Sequence, residues 1–225
     1  MHEILANPMW SALTTTQAAL AQSSGRLRRF APDVAPFCAV EHAGGELGPL
    51  DCMHAGEAVF FLGAAPELPA GWTVESEFQV LQMVYDSVHA PDELEEGNDA
   101  PALRAADIPA MLTLTALAYP EFFRLRTSEM GQYIGVHGST GLAAMAGQRL
   151  ACTGYREISA VVTHPEQRGQ GHARRLIAQL TRMILAEGRT PYLHVGACNN
   201  SAWTLYQHLG FMPTRELRTV KIRVK

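Results

Sequence analysis

The clearest hydrophobic pattern of the chain is an apolar stripe at helical spacing. Its members stand at positions i, i+3, i+4, i+7 and i+11, which a helix of about 3.6 residues per turn brings to one face. They are Ala173, Leu176, Ile177, Leu180 and Ile184. Gly188 follows and provides a helix stop. A weaker pattern of the same kind predicts a helix over residues 108–117, which the dipeptide Tyr119-Pro120 would end.

Strand patterns surround these helices. Residues 132–136 and 142–150 are short apolar runs joined by a Gly-containing turn at residues 137–141, and residues 156–163 form a third strand. Their short links predict an antiparallel meander. Residues 192–195 predict a further strand.

The end of the chain predicts one more helix and one more strand. Asn199 and Asn200 are typical N-caps for a helix that Gly210 would end. In the tail, Val220, Ile222 and Val224 alternate with basic residues. This alternation indicates a half-buried strand with a basic outer face.

The first part of the chain is less regular. A helix that opens at Pro8 and ends at Gly25 is expected, followed by strands over residues 37–40 and 58–62 and one or two strands over residues 72–85. Residues 91–101 contain five acidic residues and two prolines, which predicts a solvated loop. We therefore expect a division into residues 1–100 and residues 101–225.

Composition places the chain among globular proteins. It has 225 residues, of which 47% are hydrophobic and 18% charged, with a net charge of −4, and this acidic balance argues against a general nucleic-acid binder. No apolar run approaches the roughly 18 residues of a membrane-spanning helix, and the N-terminus lacks the pattern of a signal peptide. The four cysteines show no C-x-x-C spacing. We expect a cytoplasmic protein with reduced thiols, no metal site and no membrane partner.

A glycine-rich segment between the third strand of the meander and the striped helix carries the strongest chemical signal. Its sequence is Gln167-Arg168-Gly169-Gln170-Gly171-His172-Ala173. Glycines let the backbone approach a ligand closely, and the free N–H groups and dipole of a helix N-terminus favour a phosphate. A Walker loop would need Gly-Lys-Ser/Thr, and a dinucleotide loop would need a small residue where Arg174 stands. Both of these phosphate-binding motifs are therefore excluded.

The sequence resembles the GNAT superfamily of acyl-CoA-dependent N-acyltransferases. The resemblance rests on three ordered segments, which are the strand over residues 157–163, the glycine-rich segment, and residues 199–211, similar to the family pattern N-x-x-A-x-x-L-Y-x-x-x-G-F. It covers residues 102–225.

The resemblance implies an α/β (α+β) fold. A mixed, mostly antiparallel sheet would be flanked by helices and splayed between its fourth strand, residues 156–163, and its fifth, residues 190–196. Residues 1–100 would be an added N-terminal α/β segment, for which a degenerate GNAT-like half is one interpretation.

The resemblance also implies an acetyl-CoA site in the splay. Backbone groups of the fourth strand would contact the pantetheine arm and the thioester, the N–H groups of the glycine-rich segment would hold the pyrophosphate, and two residues of the last helix would lie near the thiol. The residues expected to bind acetyl-CoA are Val161, Val162, Thr163, Gln167, Arg168, Gly169, Gln170, Gly171, His172, Ala173, Asn199 and Tyr206.

Acyl transfer to an amine requires a proton acceptor for the ammonium and a proton donor for the leaving thiolate. Glu157 is the candidate base, with a solvated or salt-bridged carboxylate as the alternative. Tyr206 is the candidate acid, with a half-buried aromatic as the alternative. His194 is a second candidate base. Cys198 is either an acyl-accepting nucleophile or, in the interpretation we favour, a small buried hydrophobe.

The function expected from these residues is direct transfer of an acetyl group from acetyl-CoA to a primary amine, on a small molecule or a peptide. A non-catalytic acyl-CoA sensor or interaction module on the same fold is the alternative. A homodimer is plausible on the sequence, and the acceptor has no decisive signature.

Overall fold

The computed structural model describes residues 2–89, 99–139 and 141–225. The strands in these ranges are β1 (Ala21–Ser24), β2 (Leu27–Phe30), β3 (Phe37–Ala39), β4 (Ala58–Leu62), β5 (Thr73–Tyr85), β6 (Tyr133–Gly138), β7 (Gly141–Cys152), β8 (Tyr155–Thr163), β9 (Thr190–Gly196) and β10 (Phe211–Arg223). The α-helices are α1 (Pro8–Thr14), α2 (Ile108–Ala116), α3 (His172–Ala186) and α4 (Asn200–His208). None of these helices is long and apolar enough to cross a membrane.

All of these strands belong to one sheet, in the order β1-β2-β3-β4-β10-β5-β9-β8-β7-β6. Only β3 with β4 and β8 with β9 pair in parallel. The sheet is thus mixed and mostly antiparallel, with helices packed on it, which confirms the predicted fold class. The meander β6-β7-β8 is antiparallel as expected, although Thr140 of its predicted turn lies outside the described residues.

The first helix is shorter than the sequence suggested. It ends at Thr14, where the hydroxyl groups of Thr14 and Thr15 donate to the carbonyls of Trp10 and Ser11. Such bonds and β-branched side chains weaken a helix. Gly25 does not end this helix; with φ +53° it occupies the turn of the hairpin β1–β2.

The last strand is longer and more central than its alternation indicated. β10 pairs with β4 on one side and β5 on the other, with Val220, Ile222 and Val224 buried as predicted. Its outer face pairs with acids, because Lys221 and Arg223 both contact Glu75. Strands from both sides of the proposed boundary at residue 100 therefore share one sheet, while the two-part division stays a prediction.

The predicted acidic loop falls largely on residues 90–98, which lie outside the described residues. Immediately after it, the backbone N–H of Ala100 donates to Gln179 Oε1 at 2.8 Å, and Gln179 Nε2 donates back to the Ala100 carbonyl at 3.0 Å. This pair anchors the chain on α3 before it enters α2.

In the hairpin β6–β7 the ring of Tyr133 lies close to the backbone of Gly147. Tyr133 and Gly147 are paired across the hairpin, and the ring of Tyr133 lies where a side chain at residue 147 would begin. Tyr133 also packs edge-on against Phe123, with ring centroids 5.5 Å apart. A glycine at position 147 thus permits the position of this aromatic ring.

We predict that Gly147→Ala lowers the free energy of unfolding by about 1–3 kcal/mol, because the methyl group would displace the Tyr133 ring in a closely packed core. Urea unfolding measures the change. Gly138→Ala on β6 is the matched control, since its methyl group would have its nearest contact at 3.4 Å. Equal stability of the two variants would contradict the prediction.

Candidate functional site

The sheet opens between β8 and β9. These parallel strands pair only over Tyr155–Ile158 with Thr190–Leu193 and diverge beyond that point. The divergence lies between the two strands that the sequence predicted, so the expected splay is present.

A β-bulge lies where the strands separate. The register of β8 against β7 passes from Ser159, opposite Gly147, directly to Val162, opposite Met145. Ala160 takes a left-handed conformation with φ +51°, and neither it nor Val161 has a partner on β7. Bulges of this kind re-aim a strand next to active sites, and here the bulge turns backbone groups of Val161 away from the ladder.

A cavity of about 330 Å³ lies in the splay. Its wall includes three of the residues expected at the thioester, namely Val161, Asn199 and Tyr206. Val162 is not among the lining residues; its side chain is buried against α2, and Thr163 continues the ladder opposite Ala144. The prediction that Val162 and Thr163 contact the cofactor therefore concerns their backbone groups and not their side chains.

The first hundred residues build much of the cavity. Met9, Phe37, Leu62, Phe78 and Val80 all line it. They come from α1, β3, β4 and β5, and they face the loop after α2, which contributes Tyr119, Phe122, Phe123 and Thr127. The N-terminal part is therefore integral to the candidate site.

Glu157 lies on β8, one residue before the pairing with β9 ends at Ile158, and behind the cavity. Its side chain is fully buried and accepts two bonds from Arg149, from Nε at 2.8 Å and from Nη2 at 2.6 Å. The backbone N–H of Leu150 donates a third bond at 3.2 Å. The bidentate geometry is the strong form of a carboxylate–guanidinium contact.

His194 connects this ion pair to the cavity. Its Nδ1 lies 2.8 Å from Glu157 Oε1 and its Nε2 lies 3.1 Å from Gln82 Nε2. Because Gln82 Nε2 also donates to the Leu5 carbonyl at 2.9 Å, this atom is the amide nitrogen. It must then donate to His194 Nε2, which leaves the imidazole proton on Nδ1 for Glu157.

Glu157, the candidate base, forms the ion pair that was its alternative interpretation, and Arg149 and His194 line the cavity whereas Glu157 does not. Burial alone would raise the pKa of Glu157, but the Arg149 charge and the hydrogen bonds from Arg149 and His194 outweigh it and hold the pKa at about 2. A carboxylate with this pKa and filled hydrogen bonds is a poor direct base. Its contact with His194 suits it to positioning that imidazole.

The sequence missed Arg149 and Gln82 as site residues. Arg149 stands eight positions before Glu157 across the turn at Gly154, which has φ +77°. Placing the hairpin turn there would have brought the two side chains together. No comparable local signal marks Gln82, which reaches His194 because β5 and β9 are paired at these two residues.

Tyr206 and Asn199 both occur where the resemblance placed them, on and beside α4. Burial raises the pKa of Tyr206, so its hydroxyl is protonated at neutral pH. Asn199 also has a structural task, because its side chain accepts from the Ala202 N–H at 3.2 Å and caps α4. The Tyr119 hydroxyl lies 3.5 Å from the Val161 carbonyl, at the edge of hydrogen-bond range.

The glycine-rich segment forms a short 3-10 turn, Pro165–Gln167, followed by the start of α3. Gly169 and Gly171 have φ +77° and φ +74°. Within the described residues, the N–H groups of Gly169 to Ala173 make no backbone hydrogen bond, and no side chain caps α3. Gln167 is held by Gln170 Nε2 at 3.1 Å, and Arg168 is exposed.

These residues fit an acyl-CoA. Unpaired N–H groups at a helix N-terminus suit a pyrophosphate, and the unpaired edge of β8 beyond Ile158 suits an extended amide-containing arm. Cys198 differs from our expectation, since it is exposed and not buried, and it does not line the cavity.

We predict that Gly169→Glu abolishes binding of acetyl-CoA in titration calorimetry, because it places a carboxylate beside the expected pyrophosphate. Gly169→Ala is the matched control: both variants carry the cost of a side chain at positive φ, about 1–2 kcal/mol, and only one adds a charge. Unchanged affinity in Gly169→Glu would mean that the segment does not bind the anion.

We predict that the ion pair makes stability depend on pH. The pKa of Glu157 is lower in the folded protein than its ordinary 4.5, so its contribution is complete above that pH and is lost as the pH falls towards 2. The full loss is on the order of 3 kcal/mol, at about 1.4 kcal/mol per pKa unit, and about 2 kcal/mol of it falls between pH 6 and pH 3.

Urea unfolding between pH 6 and pH 3 measures this dependence. Glu157→Gln should be less stable at pH 6, since Arg149 loses its partner, and should show a shallower decline. Glu216→Gln, an exposed change on β10, controls for the loss of one carboxylate. Parallel curves for wild type and Glu157→Gln would exclude the assigned role of the ion pair.

Comparison with known proteins agrees with this geometry. Residues 133–220 match the family model of FR47-like proteins, and no curated protein matches the sequence. A solved protein from Novosphingobium aromaticivorans DSM 12444, assigned to the GNAT family of acetyltransferases, is 32% identical, with a TM-score of 0.84 and 98% of each chain covered.

More distant solved structures share the fold. A GCN5-related N-acetyltransferase from Kribbella flavida is 16% identical with a TM-score of 0.59, and covers 98% of this chain and 93% of its own. A GCN5-related N-acetyltransferase-like protein from Streptococcus suis 89/1591 is 15% identical with a TM-score of 0.56, over 96% and 92%. The identity to the Novosphingobium protein over nearly the whole of both chains shows that this chain belongs to the GNAT family of acyltransferases.

Proposed function

We propose that this protein transfers an acyl group, acetyl in the default case, from acyl-CoA to a primary amine by direct transfer in a ternary complex. One observation carries the proposal: a single cavity brings together the free edge of β8, the cap residue Asn199 and Tyr206 of α4, and the imidazole of His194. The acyltransferase class follows from the family, and the direct route and the amine are our inference.

The chain offers separate groups for each part of an acyl-CoA. The N–H groups of residues 169–173 suit the pyrophosphate, and the bulged backbone at Val161 suits the thioester carbonyl. When bound, acyl-CoA supplies the acyl group as a thioester. Fixed backbone donors at that carbonyl would stabilise charge that develops on its oxygen.

His194 is our candidate for the proton acceptor. Deprotonating an ordinary ammonium at pH 7 costs about 4–5 kcal/mol, so a base in contact with the amine is useful. His194 is the histidine among the described lining residues, and Glu157, in contact with Nδ1, would stabilise its protonated form. The Gln82 carboxamide donates to Nε2, so proton transfer to this nitrogen requires that the hydrogen bond from Gln82 breaks when the amine binds.

Tyr206 is our candidate for the proton donor to the leaving thiolate, since its hydroxyl is protonated and lines the cavity. A relay through an acyl-cysteine has little support, because Cys198 does not line the cavity and burial raises the pKa of Cys38 to about 12. These observations favour direct transfer over a two-step route.

A non-catalytic acyl-CoA sensor is the second candidate. The capping of His194 Nε2 by Gln82 favours it, because the lone pair that would accept a proton is already engaged. The two functions differ in turnover: a sensor would bind acetyl-CoA and release no free thiol with any amine.

We predict that His194→Asn lowers kcat by about 10²–10⁴-fold, the usual contribution of a general base, while the affinity for acetyl-CoA stays unchanged. Free thiol release with a panel of amines between pH 6 and pH 9 measures the rate. His164→Asn is the matched control, since it makes the same substitution outside the cavity wall.

If the turnover of His194→Asn stays within threefold of the wild-type value at every pH, His194 is not the base. Absence of thiol release with every amine, together with retained binding of acetyl-CoA, would favour the sensor. Absence of acetyl-CoA binding would overturn the proposed function as a whole.

A further inference from the structure

The guanidinium group of Arg149 is held rigidly in the cavity wall. Two of its nitrogens, Nε and Nη2, are engaged by Glu157, and its Cζ lies 4.9 Å from the ring centroid of Phe37. Its side chain is 17% exposed. A guanidinium fixed by a bidentate bond and an aromatic face loses little freedom when it binds a further group.

One edge of this guanidinium is available to a ligand. Nη1 makes no hydrogen bond within the described residues, although Arg149 lines the cavity. Nη1 carries two N–H donors and no acceptor. An oxygen atom of a bound molecule is the natural partner for these donors, because a donor that loses water without a partner costs about 1–3 kcal/mol.

Two buried hydroxyl groups add to this polar side of the cavity. Tyr133 Oη and Thr219 Oγ1 are buried and have no hydrogen-bond partner among the described residues, and both residues line the cavity. Burial raises the pKa of Tyr133, and the Arg149 charge acts in the opposite direction. Tyr133 therefore lies within electrostatic reach of Arg149.

Most of the remaining wall residues are apolar, and none of those that the structure describes carries a negative charge. The apolar ones include Phe37, Phe78, Phe122 and Phe123. A polycationic acceptor would need carboxylates to replace its hydration. The volume, about 330 Å³, lies at the lower end for small-molecule sites, which are typically about 300–1,000 Å³.

We propose that the acceptor is a small α-amino acid, or its amide, with an apolar or aromatic side chain. Its carbonyl or carboxylate oxygen would accept from Arg149 Nη1, its side chain would contact the phenylalanine wall, and its amino group would face His194. This inference rests on the proposed function for the role of the ligand as acceptor; the preference for the oxygen rests on Arg149 alone.

A binding experiment tests the preference without turnover. The protein is saturated with CoA and titrated by calorimetry with L-phenylalanine, L-phenylalaninamide, 2-phenylethylamine and spermidine. We expect phenylalanine or its amide to bind about 10–100-fold more tightly than 2-phenylethylamine, the value of a hydrogen bond to a charged group. The ratio of the first two ligands distinguishes a carboxylate from a carbonyl partner.

Arg149→Lys tests the assigned donor. Lysine keeps a cation beside Glu157 but lacks the second nitrogen edge, so the preference over 2-phenylethylamine should fall to about threefold or less. Arg126→Lys, the same change in an exposed ion pair with Asp33 and Glu129, should leave the preference unchanged. The series on the wild-type protein is decisive even if Arg149→Lys fails to fold.

Three results would overturn the inference: binding of none of the aromatic ligands, equal or tighter binding of 2-phenylethylamine, or tighter binding of spermidine than of all the others. The proposed function is judged separately by thiol release. Transfer to amines without an oxygen preference would overturn this inference alone. An oxygen preference without transfer would overturn the proposed function, and with it the ligand's role as acceptor, but would leave the contact assigned to Arg149 standing.

Discussion

The parallel pairing of β8 and β9 ends after Ile158 and Leu193, and the rest of the candidate site depends on that limit. Continued pairing would close the sheet and leave no cavity between the strands. Because the pairing ends there, backbone N–H and carbonyl groups at the bulge of Ala160 are free of both neighbouring strands. Folded proteins rarely leave such groups unpaired. The glycine-rich segment follows β8 and leads into α3, so the strand with the free edge is also the strand that leads to the expected pyrophosphate site.

The charged groups of Glu157 and Arg149 lie next to the opening of the sheet, and nearby hydrogen bonds offset the free-energy cost of burying them. Removing a carboxylate and a guanidinium from water costs several kcal/mol per ion, and good geometry with additional hydrogen bonds compensates for this. Glu157 accepts from Arg149, His194 and the Leu150 N–H. The arrangement fixes the tautomer of His194, and we infer that the electrostatics of the site and its chemistry are set by the same contacts.

Much of the fold followed from the sequence because its signals are local. The stripe of α3, the turn residues of the meander and the alternation around Val220 each depend on neighbouring residues, and each element formed where it was expected. The first helix was overestimated, since its pattern continued past the threonines that end it at Thr14. The long pairing of β10 with β5 could not be predicted, because it joins residues more than a hundred positions apart.

The sequence by itself determined the family, the glycine-rich segment at the start of α3 and the two strands that diverge, because glycine spacing and hydrophobic period encode these features within a few residues. Only the tertiary structure decided which side chains meet in the cavity. It placed Glu157 behind His194, brought Arg149 and Gln82 into contact with them, and made Phe37 part of the cavity wall. These contacts arise from strand pairing and burial across the whole sheet. Most of them join residues that are far apart along the chain, so local sequence patterns do not predict those contacts.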